Sequence, residues 1–381
     1  MGSMPLAPRA RPGQYYYPCR EVPNVHIDGT PIGPDVPPYV IAEAGVNHNG
    51  DLGTAEELVN AAAEAGADAV KFQTFSADRL VTREASKADY QTETTGEGSQ
   101  YEMLKRYELD RAAHERLIDR CAERGITFLS TPFDPGSADM LADLGLPAIK
   151  VGSGELDNHP LLEHVAGLGL PMVVSTGMGT MAEVHAARDA IRNVDPDADI
   201  VFLHCTSAYP CALEDVNLRA MGTMGEELDE PVGYSDHTTL PETPSFAVAA
   251  GACLVEKHFT LDRSMAGPDH EASLEPDELA RAVELARAAA RARGCPEKRP
   301  TDAELENVTV ARKSLHAAVD ISVGTTIEAS HVDIVRPGDG VSPRHLERVV
   351  GAVAVEAVPA GKPIPDGAVD VALGEDPEES T

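Results

Sequence analysis

Val232-Gly-Tyr-Ser-Asp-His-Thr238 and Val255-Glu-Lys-His-Phe-Thr-Leu261 are consecutive short apolar runs, each ending in polar residues and each carrying a histidine near its end. Working outward, the same rhythm fills the chain from residue 39 to about 295: a strand-like run, then an amphipathic helical pattern rich in Ala and Glu. The strand candidates are Tyr39 to Val46, Ala69 to Phe75, Thr127 to Phe133, Ala148 to Glu155, Met172 to Met178, Ile200 to Ser207, Val232 to Thr238 and Leu254 to Leu261. Helical patterns such as Thr54 to Ala65, Arg111 to Arg124, Met181 to Asn193 and Pro276 to Arg293 separate them. Strict alternation specifies a parallel sheet, and eight units in about 250 residues is the size at which such a sheet closes into a (β/α)8 TIM barrel. The second unit carries a long polar insertion, Ser76 to Asp110, expected as a flap over the barrel mouth.

In such a barrel the chemistry sits at the C-terminal ends of the strands. There the sequence collects Glu43 and Asn47, Lys71 and Gln73, Thr131, Lys150 with Ser153 and Glu155, Ser175, Thr206 with Ser207 and Tyr209, Ser235 with Asp236 and His237, and Lys257 with His258. His237 and His258 on neighbouring strands form a candidate metal site, and Gly267-Pro-Asp-His270 supplies an acid, Asp269, expected to converge with them. Lysines pointing into a barrel need anionic partners, because a buried unpaired ammonium is costly enough to lose its proton. Lys71 and Lys150 therefore point to a dianionic substrate, with Thr131, Ser153, Ser207 and Ser235 as uncharged donors to its oxygens. No P-loop or dinucleotide glycine fingerprint is present.

The segments Ile41-Ala-Glu-Ala-Gly-Val-Asn-His-Asn-Gly50, Lys71-Phe-Gln73, Lys150-Val-Gly-Ser-Gly-Glu155, Ser175-Thr-Gly-Met178, His204-Cys-Thr-Ser-Ala-Tyr-Pro210, Gly233-Tyr-Ser-Asp-His-Thr238 and Glu256-Lys-His-Phe-Thr260 resemble the sialic acid synthase family. Ala311-Arg-Lys-Ser-Leu315 and Arg336-Pro-Gly338 resemble its closing antifreeze-like, or SAF, module, so the likeness runs collinearly from about residue 37 to 372. The resemblance implies an enzyme that condenses phosphoenolpyruvate with an open-chain N-acetylmannosamine-type sugar, giving a nonulosonic acid and phosphate. It implies a divalent ion on His237 and His258, manganese with magnesium or cobalt as alternatives, polarising the sugar aldehyde. Lys71, Thr131 and Lys150 would lie near the carboxylate of phosphoenolpyruvate and Ser153, Ser207 and Ser235 near its phosphate. Glu43 and Asp269 would grip sugar hydroxyls, and Glu155 would steer the attacking water. Asn47, Gln73, Ser175 and Tyr209 complete the expected substrate-binding set. Ser207 departs from the asparagine frequent in bacterial members. The resemblance further implies a homodimer in which Arg336 reaches the partner's sugar. The Ala-Glu-Ala-Gly-Val-Asn-His-Asn-Gly form resembles sialic and legionaminic acid synthases more than pseudaminic ones, which keeps 2,4-diacetamido-2,4,6-trideoxymannose as an alternative acceptor.

Composition bounds these readings. A net charge of −32, from 63 acidic and 31 basic residues, argues against a basic face for nucleic acid or an anionic membrane. The acid is spread through the helices, which predicts a surface adapted to high salt. Six cysteines, Cys19, Cys121, Cys205, Cys211, Cys253 and Cys295, show no C-x-x-C spacing and predict reduced thiols. Neither a signal peptide nor a membrane span is legible, which predicts a cytoplasmic protein. The expected organisation is an N-terminal extension (1–36), the barrel (37–295), a linker (296–313), a small β-rich SAF domain (314–372) and an acidic tail (373–381).

Several of these residues also have a purely structural reading. Glu43 reads equally as a partner of Lys71, and Glu155 as a partner of Lys150; Gly152, Gly154 and Gly177 read as permitting tight turns. His48 reads as a loop organiser, and Asp51 with Thr54 as a helix start. Arg336 reads equally as a surface residue of its own domain. Two other functions compete. A barrel metallohydrolase would need His-x-His on its first strand, which Glu43-Ala-Gly-Val-Asn47 lacks, and a non-catalytic sugar-binding protein is disfavoured because both lysines and both histidines are present.

Overall fold

A computed structural model describes residues 24–87, 92, 96–295 and 297–371. Cys19, the chain before residue 24, the acidic tail and part of the insertion lie outside the described residues. The chain divides into two compact units, Met1–Cys295 and Pro296–Thr381.

The first unit begins with an antiparallel hairpin, β1 (Val25–Ile27) and β2 (Thr30–Ile32). Eight parallel strands follow: β3 (Tyr39–Gly45), β4 (Ala69–Thr74), β5 (Thr127–Pro132), β6 (Ile149–Val151), β7 (Met172–Ser175), β8 (Ile200–Cys205), β9 (Val232–Asp236) and β10 (Leu254–His258). Their order is β5-β4-β3-β10-β9-β8-β7-β6, and the two end strands lie against one another, so the barrel is nearly closed. All eight expected strands are present, and the expected fold is the observed one.

Period-two alternation puts every second residue of each strand inside the barrel. Its lower interior is apolar: Tyr39, Ile41, Ala69, Leu129, Ala148, Val173, Val201, Leu203 and Leu254 pack together with Val25, Ile27 and Ile32 of the hairpin. The N-terminal hairpin is therefore a plug in the barrel floor. One step further along the same strands the inward positions turn polar, and that transition creates the site.

Helices pack outside. Many start with caps legible in the sequence: Asp51 accepts from the Thr54 N–H at 2.7 Å, Asp110 from that of Ala113 at 2.8 Å, and Thr180 forms a capping box with Glu183. In the insertion, Ser99 and Glu102 box the start of the helix Gln100–Tyr107, whose Met103 and Tyr107 pack on Val46, Phe75 and Phe133. Val46 and Phe75 directly follow β3 and β4, so this helix lies on the mouth side, where the flap was expected.

In the second unit β11 (Ser314–Ala317) pairs with β12 (Val332–Val335), and short bridges such as Ile321↔Val358 and Ala354↔Val369 enclose a core of Leu315, Ile321, Ile327, Val341, Val349, Val358 and Ile364. The stretch read as a linker carries a helix, Asp302–Ala311, begun by a Thr301/Glu304 capping box. Among the described residues Cys121, Cys205, Cys211, Cys253 and Cys295 are free thiols, and no helix is long and apolar enough to cross a membrane.

Candidate active site

The polar layer is a run of charged contacts. Glu43 Oε2 lies 2.6 Å from Lys71 Nζ, which also donates to Thr131 Oγ1 at 2.9 Å. Lys71 and Lys150 flank a second carboxylate, Glu256, at 3.5 and 3.8 Å. Lys150 donates to Ser175 Oγ at 2.7 Å, and Ser235 Oγ donates to Glu256 Oε1 at 2.8 Å. All of these residues are buried.

Glu256 was not among the sequence candidates. The signal was available: if His258 faces the mouth from β10, period-two alternation forces Glu256 onto the same inner face and Lys257 onto the other. Lys257 accordingly leaves the site, donating to Asp236 Oδ2 at 2.7 Å and to Thr238 Oγ1 at 3.2 Å behind the barrel wall. The proposed pairing of Glu155 with Lys150 is not formed. Glu155 Oε2 accepts from Asn158 Nδ2 at 2.6 Å, and Lys150 has Glu256 instead.

Burial opposes every charge in this layer, and the neighbours decide the outcome. It works against the Lys71 ammonium, but Glu256 and Glu43 raise that group above the usual lysine range. Burial lowers Lys150, with Glu256 offsetting only part of the effect. Glu43 is pushed up by burial, whereas Lys150 and Lys71 with the Ser235 hydroxyl hold Glu256 down against it. The site is thus built around Glu256, which the two flanking lysines hold towards its ionised form.

His237 and His258 meet at the mouth with ring centroids 5.3 Å apart, and Tyr209 lies 4.2 Å from the first ring and 5.8 Å from the second. The Thr206 carbonyl can only accept, so the 2.6 Å contact from His237 Nδ1 places the proton there and leaves the Nε2 lone pair for a ligand. Burial lowers His237, and burial with His237 lowers His258 well below the usual range, so both rings are neutral near pH 7. The pair suits one divalent ion. The expected convergence of Asp269 with them does not occur: among the described residues no third His, Cys, Asp or Glu completes a metal-holding group. Asp269 belongs to a different corner. A Cβ built at Gly45 would lie 3.3 Å from Glu43 Oε1, 3.5 Å from Asp269 Oδ2 and 3.6 Å from Gln73 Nε2. Gly45 sits at a bulge in β3 with φ +53°, a conformation that favours glycine and lets these three side chains gather. Burial pushes the Asp269 carboxyl up to about 6.

The remaining candidates fall around these groups. Asn47 donates to Phe259 O at 2.8 Å and Ser273 Oγ at 3.0 Å, tying the loop after β3 to the end of β10; its buried Oδ1 has no protein partner. His48 is the expected loop organiser, accepting at Nδ1 from the Gly50 N–H at 3.0 Å, and burial lowers it to about 4. Ser153 and Ser207 lie close together beside Gly177 at the ends of β6, β7 and β8. Arg336, in the second unit, is exposed directly after β12.

A nearly closed ring of strands with buried lysines, carboxylates and paired neutral histidines at its C-terminal mouth defines a barrel enzyme that handles an anionic substrate. The profile described as the NeuB family matches residues 58–298, and that of the SAF domain matches 312–370. The chain belongs to the NeuB family. It is 46% identical over 334 residues, 86% of this chain and 94% of the relative, to the N,N'-diacetyllegionaminic acid synthase of Legionella pneumophila. The N-acetylneuraminate-9-phosphate synthase of Homo sapiens is 36% identical, over 89% of this chain and 94% of its own. Among solved structures, the N-acetylneuraminic acid (sialic acid) synthetase of Leptospira borgpetersenii serovar Hardjo-bovis aligns with a TM-score of 0.67 at 33% identity, covering 75% of this chain and 95% of that one.

Proposed function

We propose that this chain is a nonulosonic acid synthase, condensing phosphoenolpyruvate and water with an N-acetylmannosamine-type sugar to give the nonulosonic acid and phosphate. The observation that carries this reading is the pair of buried lysines, Lys71 and Lys150, flanking Glu256 below the two neutral histidines. Two cations fixed in a low-dielectric mouth favour a small polyanion far more than the same cations in water would.

In this reading Lys71, Thr131, Lys150 and Ser175 bind the carboxylate, and Ser153 and Ser207 the phosphate. Ser235, engaged with Glu256, reaches the phosphate only by exchanging that partner. Glu43, Gln73 and Asp269 orient the sugar. His237 and His258 hold a divalent ion, manganese first and magnesium or cobalt as alternatives, which when bound supplies Lewis-acid polarisation of the sugar aldehyde. The enol carbon then attacks the aldehyde carbon, water adds to the resulting oxocarbenium carbon under the direction of Glu155, and the C–O bond to phosphate breaks. Arg336 acts from the partner protomer of a homodimer. Free thiols support a reducing, cytoplasmic setting, and the net charge of −32 supports a requirement for salt.

The 46% identity to an N,N'-diacetyllegionaminic acid synthase favours 2,4-diacetamido-2,4,6-trideoxymannose as a second acceptor. Competition between this sugar and N-acetylmannosamine, read by product mass, assigns the acceptor. Absence of sugar-dependent phosphoenolpyruvate consumption contradicts the synthase itself.

A further inference from the structure

At the ends of β6, β7 and β8 three short polar side chains share one small space. Ser153 Oγ lies 3.1 Å from Cys205 Sγ and accepts from the Gly177 N–H at 3.0 Å. A Cβ built at Gly177 would fall 2.8 Å from both Ser153 Oγ and Cys205 Sγ, and against Ser207 Oγ. Real Cβ atoms do not approach so closely, so any side chain here would drive the three groups apart. Backbone conformation does not explain the glycine, because Gly177 is not among the residues with positive φ. Gly177 does sit in the tight turn closed by the Gly179 N–H to the Thr176 carbonyl at 3.1 Å, but its φ makes no demand for glycine there, and the missing Cβ itself is what the site uses.

We propose that Gly177 is a positioning residue of an anion cradle, in which its absent side chain lets Ser153, Cys205 and Ser207 converge on one phosphate group. The inference rests on the synthase reading for the identity of that ligand, the phosphate ester of a small enol acid. Three neutral donors suit a phosphate whose charge is balanced nearby. Lys150, on β6, and its partner Ser175, at the end of β7, lie on the two strands that lead to Ser153 and Gly177, so carboxylate and phosphate of one ligand can be held side by side.

The test uses full-length, metal-supplemented protein, steady-state kinetics and a 31P NMR titration with inorganic phosphate. Gly177→Ala is compared with Gly154→Ala, a control whose added Cβ meets nothing within 4 Å. The expected result is that Gly177→Ala raises both the KM for phosphoenolpyruvate and the Kd for phosphate about 10-fold, as for the loss of one charge-assisted hydrogen bond. The sugar KM stays unchanged, and Gly154→Ala moves none of these constants. Unchanged phosphate affinity in folded Gly177→Ala overturns the proposal, as does an equal rise in both substrates' KM. Should Gly177→Ala not fold, Ser207→Ala is read by the same phosphate titration, and unchanged affinity there overturns the cradle. Phosphate binding is read without turnover. Wild-type protein that binds phosphate but consumes no phosphoenolpyruvate contradicts the synthase and leaves the cradle standing; wild-type protein that binds none contradicts the cradle.

Discussion

Lys71 Nζ lies 2.6 Å from Glu43 Oε2 in the barrel interior, with a second carboxylate, Glu256, 3.5 Å from the same nitrogen. One ammonium thus holds two buried carboxylates, and removing it leaves both uncompensated. Lys71→Met should destabilise the barrel by about 3 kcal/mol, the range for breaking a buried pair. Adding Glu43→Gln should recover part of that loss. Urea unfolding of the single and double variants checks this, and additive effects would contradict the shared network.

Asp269 gives a pH signature of opposite character. Its folded carboxyl is raised from 3.8 to about 6 by burial. The protonated form therefore contributes stability that is fully present below the unfolded value and is lost as pH rises through about 6. Asp269→Asn removes that cost, so it should raise the melting temperature at pH 8 and leave it nearly unchanged at pH 4. The same substitution should lower turnover at pH 8 at least about 10-fold, because an acceptor for a sugar hydroxyl is lost. Paired melting curves and rates decide it.

The hairpin plug is a packing claim. Ile27 is fully buried among the apolar residues of the barrel floor, and Ile27→Ala should cost about 2–5 kcal/mol in denaturant unfolding. A loss below about 1 kcal/mol would mean that the floor collapses around the gap.

The proposed cross-protomer role of Arg336 is testable by mixing. Arg336→Ala and Lys150→Ala should each be nearly inactive alone. Co-refolded in equal amounts, they should regain about a quarter of wild-type activity, because half of randomly paired dimers carry one intact site in two. No recovery despite proven heterodimers would place Arg336 in its own protomer's chemistry.

Much of the architecture was legible because it rests on local rules. Eight alternations of apolar run and amphipathic helix specified the barrel, and Asp51 with Thr54 marked a helix start. The lysines and histidines at strand ends were legible too, and the structure brings Lys71, Lys150, Thr131 and Ser175 into one network. Partner choice inside the barrel was not legible. Glu155 precedes Asn158 by one helical turn and is drawn to it, whereas Lys150 takes Glu256 from across the lumen. Asp269 lies near His258 in sequence, yet the loop after β10 carries it to the Gly45 bulge instead. Such choices depend on loop paths and lumen geometry, which no spacing encodes. The helix Asp302–Ala311 lies in the stretch expected as a linker, although Thr301 and Glu304 spell its capping box.

The most direct measurement incubates the metal-supplemented protein in high salt with phosphoenolpyruvate and, separately, N-acetylmannosamine or 2,4-diacetamido-2,4,6-trideoxymannose, following phosphate release and product mass. The account predicts phosphate released in step with a nonulosonic acid, only when sugar is present, and lost on chelation or in His237→Ala. Phosphate release without sugar, or none with either sugar from folded, metal-supplemented protein, would contradict it.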